Sequence, residues 1–225
     1  MDLFVLESAL QHRGTESAGF ALGGEGYFFV FADHGSVYRV YTEYVDRCSY
    51  KASRGIGHNR YSTTGPSERG NAQPIKVGSY CIGHNGNLSN GLELRERYSQ
   101  DFEFKTTTDT EIMGHFLDEG GDPFKGAERI FGECQGAFNL VAMNNRGEVV
   151  LIRDPRGFHP FVWTGMMSNG RAYAASENIA LATLGIYGWE DVPPGEVIVF
   201  RKDGQVDRKN FSRGEDLCRC PMEVL

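Results

Sequence analysis

Three short runs in this chain carry groups able to hold a free amino acid: Gly57-His58-Asn59-Arg60-Tyr61-Ser62-Thr63-Thr64-Gly65, His84-Asn85-Gly86-Asn87-Leu88 and Thr107-Thr108-Asp109-Thr110-Glu111. An α-amino acid presents a carboxylate, an ammonium and a side chain, so its pocket needs a fixed cation, a fixed anion and a polar group for the third feature. Arg60 suits the carboxylate because its planar fork donates two parallel hydrogen bonds, and Asp109 suits the ammonium. Asn85 can aim a side-chain amide, and Gly86 an unencumbered backbone N–H, at the oxyanion that forms when a carboxamide is attacked. Each group also has a plainer reading: Arg60 as a surface ion-pair partner, Asp109 as a helix N-cap, Asn85-Gly86 as a type I′ hairpin turn. Spacing alone leaves both sets of readings open.

The elements that must position these residues are mostly short strands. Helical spacing of Leu3, Leu6 and Leu10 predicts that the chain begins in a helix ending near His12-Arg13-Gly14. β-rich runs follow at 18–22, 27–32, 37–41, 56–61, 80–84, 138–143, 149–153, 172–176 and 197–200, separated by glycines and polar turns. Helical patterns fall at 92–98, 110–118, 124–131 and 177–184. Strands in groups and helices in groups argue for an α+β fold of stacked antiparallel sheets under helices, not for alternating βαβ units. The stretch Lys202 to Leu225 reads as a tail, charged and then apolar in its last residues.

Composition narrows the classes further. The 225 residues, 40% hydrophobic and 24% charged, are enough for one large domain with a real core, and the net charge of −7 comes without any block of lysine and arginine. Nucleic acid is therefore not an expected partner. No apolar run reaches the roughly 18 to 20 residues of a membrane span. Met1-Asp2-Leu3-Phe4 lacks the basic start of a signal peptide, so a cytoplasmic protein with no membrane association is expected. Five cysteines, an odd count with no zinc spacing, are expected as reduced thiols. His12, His58 and His84 lack metal-site spacing and are read as structural, so neither a metal nor a cofactor is expected.

Taken together, Gln11-His12-Arg13-Gly14-Thr15-Glu16-Ser17-Ala18-Gly19, Arg60 to Gly65, Asn71-Ala72-Gln73-Pro74, His84 to Leu88 and Thr107 to Glu111 closely resemble the class II glutamine amidotransferase domain, in its amidophosphoribosyltransferase branch. Arg153-Asp154-Pro155-Arg156-Gly157, Ala175-Ser176-Glu177 and Asp191 to Glu196 extend the resemblance in collinear order over nearly the whole chain. The sugar-isomerising branch, with different runs at Gln11 to Ser17 and Tyr61 to Gly65, ranks second. The resemblance implies an N-terminal-nucleophile hydrolase fold: a four-layer αββα sandwich of two antiparallel sheets, here without its usual first strand. Carried over by position, Arg60 with Thr63 would hold the glutamine α-carboxylate and Asp109 the α-ammonium. Asn85 and Gly86 would form the oxyanion hole. Arg13 would lie beside the nucleophile and Tyr61 where the glutamine pocket meets the acceptor site. Residues 1–213 would be the amidotransferase-like domain, and 214–225 the tail from which the family continues into a phosphoribosyltransferase domain.

The nucleophile that the resemblance implies is a cysteine at the mature N-terminus, whose α-amine is the general base. Here residue two is Asp2, and Cys48 and Cys81 read as buried small hydrophobes. In some members the position of Cys220 ligates an iron–sulfur cluster with cysteines of the second domain; without those partners no cluster is expected. Three functional readings follow. The chain is a glutamine amidotransferase domain that is truncated or inactive alone, or a non-catalytic glutamine-binding module, or a scaffold for a separate transferase subunit. Glutamine, a phosphoribosyltransferase domain or subunit, and further copies of the chain in a homo-oligomer are the expected partners.

Overall fold

Small and aromatic residues dominate Ser17–Gly24 (β1), and every position of this strand but Leu22 is buried. Such a strand belongs in the middle of a sheet. It lies between Tyr27–His34 (β2) and Arg54–Arg60 (β3), antiparallel to both. The register pairs Ser17 with Arg60, which sets Arg60 at the end of β3 beside the start of β1. The computed structural model describes residues 2–24, 26–45, 52–61, 69–218 and 220.

A second, six-stranded antiparallel sheet is built from Ile75–Val77 (β4), Tyr80–Leu88 (β5), Gly136–Asn144 (β6), Val149–Arg153 (β7), Glu196–Phe200 (β11) and Val206–Asn210 (β12), in the order β12-β11-β7-β6-β5-β4. Period-two alternation sorts its side chains. Tyr80, Ile82, Leu88, Phe138, Leu140 and Ala142 share one core with Ile112, Met113, Phe116 and Leu117 of Thr110–Gly120 (α4) and Ile130 of Pro123–Glu133 (α5). The alternate residues Cys81 and Met143 pack instead on Ala21 and Ile56 of the first sheet. The two sheets are thus face to face, with α4 and α5 on one outer side. On the other, Asp2–Ala9 (α1) and Val37–Val40 (α2) cover β1 and β3, with Val37 and Val40 against Ala18 and Phe20. A Cβ on Gly57 would sit 2.4 Å from Glu7 Oε1, so only glycine in β3 admits α1 this closely. This is the expected αββα sandwich of an α+β fold.

Three details differ from the sequence reading. The run at 37–41, read as a strand, is helical: Ser36 Oγ accepts the Arg39 N–H at 3.3 Å, and Val37 and Val40, three apart, are the residues buried. The tail-like stretch from Lys202 contributes β12, paired with β11. A third small sheet also forms, from Val162–Trp163 (β8), Ala174–Ala175 (β9) and Glu190–Asp191 (β10), in the order β10-β8-β9. Gly91–Arg97 (α3) and Asn178–Thr183 (α6) complete the helices, and α5 starts with Pro123 in the first turn and Asp122 Oδ1 accepting the Phe124 N–H at 2.9 Å. Among the described residues no helix is long and apolar enough to cross a membrane.

Candidate functional site

Between the sheets lies a cleft of about 1880 Å³, lined by β3, by the inward side of β5 and β6 and by the β9 segment. Arg13, Arg60, Tyr61, Asn85, Gly86 and Asp109 all line it. Thr63, the seventh residue of the expected set, lies outside the described residues, as does Cys48.

Arg60 closes β3 as a buried cation, and its Nη1 donates to Glu16 Oε1 at 2.5 Å. The Glu16 N–H in turn donates to the Arg60 carbonyl at 3.2 Å, so the guanidinium is oriented from both ends of the same residue. Arg13, in the turn Gln11–Arg13, pairs with Glu177, whose second oxygen is 3.1 Å from His12 Nε2. Tyr61 is 72% exposed and stands at the rim of the cleft.

Asp109 precedes α4 but does not cap it: the side chain makes no N-cap hydrogen bond and accepts the Leu88 N–H at 2.7 Å instead. His84 Nδ1 lies 3.5 Å from its other oxygen. Burial pushes the Asp109 carboxyl up, but the hydrogen bond and charge of His84 and the N–H groups of Leu88 and Thr110 outweigh it and hold the carboxyl below its usual range. An ionised, buried carboxylate next to a cleft is the form that an ammonium requires. His84 is itself locked, its N–H donating to Gln73 Oε1 at 2.7 Å and its ring 3.3 Å from Thr110 Oγ1.

The Asn85-Gly86 pair is not a hairpin turn. Both residues lie inside β5, in register with Asn139 and Phe138 of β6. Gly86 adopts φ +145°, and a Cβ there would meet the Ala137 carbonyl oxygen at 2.0 Å, so the position demands glycine. Asn85 faces the sandwich interior with its side-chain Nδ2 unpaired among the described residues. His58, on β3, donates from Nε2 to the His84 carbonyl at 2.9 Å; burial lowers its pKa to about 4, so the ring is neutral. Among the described cysteines none lines the cleft. Burial pushes the Cys81 and Cys134 thiols up to about 12, which makes both inert structural residues.

Residues 58–183 match the family described as the glutamine amidotransferase domain, which is more than half of the chain. The chain belongs to this family. It is similar to the amidophosphoribosyltransferases of Synechococcus elongatus (37% identity over 201 residues, 84% of this chain and 40% of the relative) and Pyrococcus horikoshii (37% over 216 residues, 92% and 46%). Among solved structures, the glutamine phosphoribosylpyrophosphate amidotransferase of B. subtilis, complexed with ADP and GMP, superposes with a TM-score of 0.85 at 28% identity. The match covers 99% of this chain and 49% of that one. The chain therefore spans less than half the length of these curated relatives. A glutamine aminotransferase class-II domain protein from Silicibacter pomeroyi, at 14% identity and a TM-score of 0.59, shares the fold alone.

Four further residues hold the site of this amidotransferase domain together. Glu16 and Glu177 hold the two arginines, and His84, itself held by Gln73, lies against Asp109. Their partners lie 11 to 164 residues away in sequence, and only the folded sheets bring them together.

Proposed function

We propose that the chain binds L-glutamine in the cleft between its sheets and is the glutamine-handling part of an enzyme that passes ammonia to a phosphoribosyl acceptor, the amidophosphoribosyltransferase step of purine synthesis. The observation that carries this reading is the convergence of a buried cation, a buried ionised carboxylate and the Asn85-Gly86 pair on one cleft. Arg60 holds the α-carboxylate, assisted by Thr63, and Asp109 holds the α-ammonium. Asn85 and Gly86 receive the carboxamide oxygen, whose negative charge grows as the carbon is attacked. Arg13 stands where the family's nucleophile would be supported as a thiolate, and Tyr61 gates the passage towards the acceptor. The acceptor is bound by a phosphoribosyltransferase domain or subunit, outside the cleft described here.

One observation favours binding over hydrolysis for the chain by itself: the described residues place no thiol in the cleft. Glutamine hydrolysis through a thioester needs one. Calorimetric titration with L-glutamine and a coupled glutaminase assay test the two parts separately. The expected result is saturable heat with background ammonia release. No heat at millimolar glutamine from folded protein overturns the binding site, and rapid ammonia release overturns the reading of the chain as a binder without hydrolysis.

A further inference from the structure

Directly across the sheet from Asn85, Asn139 of β6 carries a second unsatisfied amide. Opposed residues on neighbouring antiparallel strands hold their Cβ atoms about 5 Å apart on one face. That face is the cleft side, since Phe138 and Leu140 on either side of Asn139 point into the helix-covered core. The Asn139 amide cannot be read the other way round. Its Nδ2 donates to the Pro160 carbonyl at 2.8 Å and lies 3.4 Å from the His159 carbonyl, and two carbonyls facing one end of the group identify that end as nitrogen. Oδ1 therefore points away from them. Among the described residues Oδ1 has no donor, just as Asn85 Nδ2 has no acceptor.

A bare donor and a bare acceptor side by side, neither satisfying the other, destabilise the fold unless a ligand completes them. The complementary ligand group presents one acceptor and one donor on a single planar carbon: a primary carboxamide. Both residues line the cleft. The terminal torsion of Asn85 is soft enough to turn its amide towards it, while the Pro160 carbonyl keeps Asn139 Nδ2 in place and leaves Oδ1 as the acceptor.

We propose that Asn139 is a specificity-determining residue, whose Oδ1 accepts an N–H of the substrate carboxamide while Asn85 donates to its oxygen. This deepens the glutamine reading and rests on it. A glutamate side chain offers Oδ1 only lone pairs, so the same contact that welcomes the amide repels the acid. The product of hydrolysis is thereby expelled from the site that binds the substrate.

The test is a calorimetric comparison of L-glutamine, L-glutamate and L-norvaline, which keeps the α-groups but lacks the carboxamide, on the chain and on its Asn139→Ala and Asn139→Thr variants. Threonine favours a strand and offers a hydroxyl to the Pro160 carbonyl, so it protects the fold if alanine does not. The expected preference for glutamine over glutamate is about 100-fold in the unaltered chain and falls about tenfold or more in both variants, with norvaline affinity within about twofold. An unchanged glutamine-to-glutamate ratio overturns the assignment of Asn139. An equal loss for all three ligands does the same, because it reports a structural role. Failure of the unaltered chain to bind glutamine at all removes the parent reading, a result distinct from either.

Discussion

Glu7 is the only carboxyl that α1 buries against β3, and its ionisation should cap the stability of the fold at alkaline pH. The side chain is 7% exposed, lies against Gly57 and takes its whole perturbation from desolvation, which raises its pKa from 4.5 to about 8. Since the folded pKa lies above the unfolded one, the contribution is intact below pH 4.5 and is lost as pH rises through 8. The full loss is up to about 5 kcal/mol at roughly 1.36 kcal/mol per pH step. Water in the neighbouring cleft screens part of this, so we expect about 2 to 4 kcal/mol. Urea unfolding of the chain and of Glu7→Gln between pH 5 and pH 9 measures it. The variant should gain on the parent steadily with pH, and contributions from other titrating groups cancel in the difference. A stability difference independent of pH would refute the claim that Glu7 sits desolvated and unpaired on β3.

The remaining predictions concern the site. Arg60→Ala or Asp109→Ala should weaken glutamine binding by about 2 to 4 kcal/mol in calorimetry, because each leaves a buried or ligand charge unpaired; unchanged affinity would mean that the pocket is misassigned. His58, with its pKa lowered to about 4 from 6.5, contributes stability that is present above pH 6.5 and lost as pH falls through 4. The acid limb of the stability curve should therefore flatten in His58→Gln by up to about 3 kcal/mol, and an identical acid limb would contradict its burial as a neutral ring. Gly86→Ala should cost about 2 to 4 kcal/mol in thermal unfolding, since a methyl group there collides with the Ala137 carbonyl at φ +145°. A neutral substitution would mean that β5 does not hold this conformation.

Much of this was legible in the sequence, and the failures have identifiable physical causes. The strands at 80–84, 138–143 and 149–153 and the helix at 110–118 emerged at nearly their observed places, because period-two and helical patterns directly reflect which faces are buried. Val37 to Tyr41 misled because Val-Tyr-Arg-Val-Tyr satisfies either period over five residues, and the Ser36 cap decides it. Asn85-Gly86 has the chemistry of a tight turn, but the pairing partner that fixes it mid-strand, β6, lies some fifty residues later. The charged site residues were visible as types. Glu16 and Glu177 lie within the resembling runs, but their pairing with Arg60 and Arg13 was not legible, because an ion pair between residues far apart in sequence leaves no local pattern. Asn139 was equally invisible: an asparagine within a strand acquires meaning only when the opposite strand supplies its counterpart.

The central claim, that Arg60, Asp109 and the Asn85-Gly86 pair close around one glutamine molecule, is tested most directly by a crystal structure of the chain grown with L-glutamine. Density for the ligand should lie between β3 and β5, with its carboxylate on the guanidinium of Arg60, its ammonium on Asp109 and its carboxamide at Asn85. Glutamine bound elsewhere, or in the cleft with its ends reversed, would contradict the account.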